Sequence, residues 1–165
     1  MARDYILRLI DHVALMLAEI VAKRKGAQRP EARAAIEKQA LQHTGLPLSL
    51  IRDATPEMVA ELLRHGGELR FIRAVLLAEL LLQEADMAEE DGDRAAALPA
   101  YLHVWYLLED AAESFNREEH EHFGAKQEHA RTRVLALAPE LGVDLSTLVP
   151  RHFLRTHCHG NPPGA

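Results

Sequence analysis

The sequence predicts an all-α protein of about six to eight helices packed as antiparallel hairpins. Three observations carry this reading. Apolar residues recur at helical spacing, as in Ile6, Leu9, Ile10, Val13, Leu17, Ile20 and Val21. Glycine-containing breaks punctuate the pattern at Gly26, Gly92 and Gly124. Residues 81–109, LLQEADMAEEDGDRAAALPAYLHVWYLLE, place the small Ala85 and Ala97 on either side of Gly92-Asp93, with Tyr101 one turn further on. Two antiparallel helices approach closely only where small side chains meet at the crossing and large ones fill beside it.

The elements follow in order. Residues 3–25 form an amphipathic helix, closed by Lys23, Arg24 and Lys25 against the helix dipole and by Gly26. Pro30 opens a second helix over 31–43, with Ala32, Ala35, Ile36, Ala40 and Leu41 inward and Thr44-Gly45 at its end. Residues 46–50 are apolar but short, and Pro47 keeps them from extending that helix, so they tuck under the bundle as an irregular or single-turn segment. Thr55-Pro56-Glu57 starts a helix that runs to His65 and stops at Gly66-Gly67. Residues 68–91 form a helix with almost no polar face between Val75 and Leu82, which calls for neighbours on every side or for a dimer interface. Its partner spans 94–112, with Pro99 forcing a kink or a regular start nearer Ala97. A third hairpin is expected over 113–123 and 125–138, broken at Gly124 and stopped by Pro139. Asp144 caps a last short helix through Val149.

With 165 residues, 48% of them hydrophobic, the chain can bury a sizeable core, and 1–156 reads as one domain. Residues 157–165, HCHGNPPGA, read as a frayed tail. A net charge of −6 and the scatter of basic residues argue against nucleic acid. Cys158 is the single cysteine, so nothing calls for an oxidising compartment. The opening MARDYILRLIDH carries Asp4 and Asp11, unlike a secretory signal, and the apolar run 74–82 is interrupted by Glu79 and too short for a bilayer. A cytoplasmic protein without a membrane partner is expected.

The hairpin at 81–109 resembles a tetratricopeptide repeat, and the helix-break-helix units together resemble a tetratricopeptide-like array with an insertion over 44–67. The first unit departs from the pattern, since Glu19 stands where Ala85 stands in the second. Three segments, DYILRLIDHVALMLAEIVAKRKG, GLPLSLIRDATPEMVAELL, and LLAELLLQEADMAEEDGD followed by Tyr101, are similar to a family of uncharacterised bacterial helical proteins over about 4–112. That resemblance implies a bacterial, helical protein with no assigned reaction. Tetratricopeptide domains hold a partner's tail against the first helix of each hairpin. The matching positions here, Glu79, Leu82, Asp86 and Glu89, are acidic and apolar, so the implied partner segment is basic or apolar. A solvated helix end is the competing explanation for those acids.

Candidate interface residues are therefore Asp86 and Glu89, with the aromatic trio Tyr101, Trp105 and Tyr106, since interface cores favour Trp and Tyr. Core packing competes for each aromatic residue. The expected function is protein–protein interaction or self-association, with no cofactor. The alternative is zinc or another divalent ion on His157, Cys158 and His159, aided by His129 or His152, for ten histidines include six from His120 onward. His120 and His122 point about 200° apart on a helix, so Glu118 with His122 is the workable local pair. No nucleophile elbow, phosphate loop, dinucleotide fingerprint or HExxH motif is present, and no catalytic residue is assigned.

Overall fold

The computed structural model describes residues 2–65, 70–151 and 153. Among them lie eight helices and no strand: α1 (Ala2–Lys25), α2 (Arg29–Thr44), α3 (Leu48–Asp53), α4 (Pro56–Arg64), α5 (Arg70–Glu90), α6 (Arg94–Ala112), α7 (Arg117–Glu140) and α8 (Leu145–Leu148). The all-α expectation holds. Gly66-Gly67, His152, the 157–165 tail and the side chains of Ile6, Leu9 and Ile10 lie outside the described residues.

Local chemistry sets most boundaries. α2 ends where Gly45 turns left-handed at φ 72° and returns its N–H to the Leu41 carbonyl. Thr55 caps α4 by accepting from the Met58 amide, with Pro56 in the first helical position, where a missing donor costs nothing. Asp93 caps α6 by accepting from the Ala96 amide, directly after Gly92 at φ 79°. Residues 46–50 become part of a genuine short helix, α3, which buries Leu48 and Ile51. α6 starts at Arg94 and continues through Pro99, so its regular part does not wait until Ala97.

The third hairpin is absent. α7 is one helix that passes straight through Gly124 and includes Pro139. The break falls at 113–116 instead, where Asn116 and Glu119 form a reciprocal capping box. A capping box stabilises a start at Arg117, whereas one glycine inside a helix costs only about 1 kcal/mol relative to alanine. The local signal at Asn116 outweighs the one at Gly124.

The packing is centred on α5. It pairs most extensively with α6 and also meets α1, α2 and α4, while α7 packs on the far partner, α6. Leu77, Leu80, Leu81, Ala85 and Met87 are wholly or almost wholly buried, as are Ala97, Tyr101, Val104 and Trp105 on α6. Burial within one chain accounts for the apolar 75–82 run, as one of the two expectations had it. Ala85 and Ala97 are both fully buried, as the crossing requires.

Candidate functional site

The side chains of α1 and α5, with one turn of α7, enclose an apolar groove of about 340 Å3. Val13, Leu17 and Val21 come from α1, Ile72 and Val75 from α5, and Phe123 from α7. Helical spacing on α1 brings its three residues to one side, and Ala14 and Ala18 in the same wall are small and exposed.

One end of the groove is polar. Glu79 is only 5% exposed, and an unpaired carboxylate at that depth would cost several kcal/mol. Lys126 of α7 reaches across and donates its ammonium to Glu79 Oε1. The same Nζ lies 3.4 Å from His122 Nε2 and 5.8 Å from the Phe123 ring centroid. Gln83 completes the end, its Oε1 accepting from Arg24 at 2.7 Å.

The acids expected to attract a basic partner are already engaged. Asp86 Oδ1 accepts from the Tyr101 hydroxyl at 2.5 Å and lies 3.0 Å from His129 Nε2, while Arg24 stands 3.5 Å from Oδ2. Glu89 lies 2.9 Å from the Tyr101 hydroxyl and receives the Arg133 guanidinium as a two-pronged fork, Nε on Oε2 at 3.0 Å and Nη2 on Oε1. This cluster ties α1, α5, α6 and α7 together. Burial, then the hydrogen bond to Asp86 and the charges of both carboxylates, push the Tyr101 phenol well above its ordinary value. The Glu89 hydrogen bond raises Arg133 further. Asp86 and Glu89 thus anchor neighbouring helices through partners within the chain.

Two of the aromatic trio are likewise internal. Tyr101 and Trp105 are each 1% exposed. Trp105 meets Phe153 edge-on at 5.9 Å, and its buried Nε1 has no hydrogen-bond partner. Tyr106 is half-buried, stacked on Phe153 at 5.1 Å, with its phenol raised by burial and by Glu57 and Asp110. Trp105 and Tyr106 thus seat the segment after α8 on α6. Trp105 and Tyr101 fill core, the competing expectation for both.

Among the described residues, no three or more His, Cys, Asp or Glu side chains converge as a metal site. His157, Cys158 and His159 lie outside them. No described helix is long and apolar enough to cross a membrane. No family model matches the chain, no curated protein matches it, and no solved structure matches it.

Sequence reasoning missed the groove because its walls come from three helices far apart in the chain. Glu79 and Lys126 are 47 residues apart, and no spacing rule joins them. One signal was present: Ala14 and Ala18 interrupt the bulky face of α1 at a four-residue interval.

Proposed function

We propose that the protein is a tetratricopeptide-like binding module whose groove between α1, α5 and α7 takes an apolar helical segment of a partner protein. The packing order supports the array: α1 on α2, α2 on α5, α5 on α6 and α6 on α7, with α1 also on α5. In that reading α1, α5 and α7 are the first helices of successive units, the side on which such modules hold their partners.

The observation that carries the binding reading is the groove itself. It is apolar along most of its length, and its charged lining residues, Glu79 and Lys126, are bonded to each other. An apolar stripe on a partner helix, at i, i+3, i+4 and i+7, fits such a trough. An extended basic tail finds no acid free to receive it at Asp86 or Glu89. Small residues at Ala14 and Ala18 leave room for a partner helix to approach α1 closely.

The test is a selection from a displayed peptide library against the intact chain. Binders should share apolar residues at helical spacing, and Ala18→Arg should abolish their binding while leaving the melting temperature unchanged. Binders rich in lysine and arginine without an apolar stripe would refute the reading. So would binders indifferent to Ala18→Arg. Sedimentation of the free protein separates self-association through the same groove, which Ala18→Arg would also disrupt.

A further inference from the structure

Along α5 the groove runs from Ile72 through Val75 and Leu76 to Glu79 and Gln83, a distance of roughly 16 Å. The first part of that wall is apolar, and Glu79 and Gln83 follow it, four residues apart on one face of the helix.

Glu79 is neutralised but not saturated. Lys126 donates to Oε1, and Oε2 receives no hydrogen bond among the described residues. Glu89, by contrast, takes the Arg133 guanidinium on both oxygens. Glu84 Oε2 also lacks a partner, but it is sealed from any approach, whereas Glu79 Oε2 is not. The small exposed remainder of Glu79 opens into the groove. Gln83 is likewise half used. Its Oε1 accepts from Arg24 at 2.7 Å, and because a guanidinium only donates, that contact fixes which end of the amide is oxygen. The Gln83 NH2 has no hydrogen-bond partner among the described residues and is not sealed either. The groove thus ends in one open acceptor and one open donor, a turn apart on α5.

These two groups narrow what a partner helix presents there. An apolar side chain would strip water from both and return no hydrogen bond. A lysine or arginine would answer Glu79 but set a second cation beside Lys126, which already balances that carboxylate. An acid would meet Glu79 directly. A hydroxyl has a single hydrogen to donate and a short reach. A primary amide donates and accepts at once, and adds no charge to an apolar trough. We propose that the partner helix carries a glutamine or asparagine at one end of its apolar stripe, donating to Glu79 Oε2 and accepting from the Gln83 amide. This inference rests on the groove reading above and adds the partner's polar residue to it.

The probes are apolar-stripe peptides selected from the displayed library. The residue at each end of the stripe is changed in turn to glutamine, asparagine, leucine and lysine, and the labelled peptides are titrated with the intact chain by fluorescence anisotropy. At one end, an amide form should bind at least about tenfold more tightly than the leucine or lysine form, a difference of roughly 1.4 kcal/mol. Against the double variant Glu79→Leu with Lys126→Met that order should reverse, with leucine preferred. Gln83→Leu, which leaves the buried pair intact, should cut the amide's advantage to about threefold or less. Melting curves establish that the variants are folded, and Gln83→Leu decides alone where the double variant is not. Leucine or lysine forms as tight as the amide forms, still abolished by Ala18→Arg, overturn this inference and leave the groove reading standing. An amide preference unchanged in the folded variants also overturns it, because the amide is then read elsewhere. Absence of any apolar-stripe binder overturns both.

Discussion

Replacing Tyr101 with phenylalanine removes one oxygen from the centre of the structure and leaves the ring in place. That oxygen sits 2.5 Å from Asp86 Oδ1 and 2.9 Å from Glu89 Oε2. The side chain is 1% exposed, so water does not substitute freely for the lost hydroxyl. A hydrogen bond to a charged group is worth about 1.5–3 kcal/mol, and the two carboxylates keep Arg24, His129 and Arg133 as partners. A loss of about 2 kcal/mol follows, which lowers the melting temperature by about 4–8 °C in a chain of this size. The pH dependence sharpens the test. The folded phenol is raised above its ordinary value of 10.0, by burial first and then by Asp86 and Glu89. Its contribution is thus fully present below pH 10 and declines as pH rises beyond it. Thermal and urea denaturation of wild type and Tyr101→Phe should show the gap at pH 7 and its narrowing above pH 10. A variant as stable as wild type at neutral pH would refute the anchoring role, and an unchanged gap in alkali would refute its cause.

Three further outcomes follow from the same reasoning. Gly124→Ala should stabilise the protein by roughly 1 kcal/mol, since Gly124 lies inside α7 and an added Cβ meets nothing within 4 Å; a destabilised variant would mean that α7 bends there. Lys126→Met should cost about 3 kcal/mol by leaving Glu79 buried and unpaired, whereas Lys126→Met with Glu79→Leu should be close to neutral in urea unfolding; equal losses would contradict the pairing. His43 should titrate below 6.5 by NMR, because burial and then the nearby His12 disfavour its charged form. Stability tied to neutral His43 is therefore present above pH 6.5 and lost as pH falls through the lowered folded value, and His12→Ala should move the His43 titration upward. A His43 midpoint at or above 6.5 would contradict it.

Much of the fold was legible because its signals are local. Gly45 after α2, Thr55-Pro56 before α4 and Gly92-Asp93 before α6 are short motifs whose chemistry acts over a few residues. The error at Gly124 shows the limit: glycine weakens a helix without ending it, and the Asn116–Glu119 box was the stronger mark. The candidate site was far less legible. Asp86 and Glu89 look like a solvated acidic face until Arg24, His129 and Arg133 are brought to them from distant segments. Tyr101 and Trp105 carry the residue types of an interface and the burial of a core, and residue type alone does not separate the two. Val13, Leu17, Ile72 and Val75 read as ordinary core residues, and only the assembled helices leave a trough between them.

The central claim is that the groove between α1, α5 and α7 is a binding surface for an apolar helix. The most direct measurement follows the methyl resonances of the intact protein by NMR while a library-selected amphipathic peptide is added. Binding in the groove should perturb Val13, Leu17, Val21, Val75 and Leu76 first, leave Val134 and Leu137 of α7 unmoved, and disappear in Ala18→Arg. Perturbations centred elsewhere, or retained in Ala18→Arg, would contradict it.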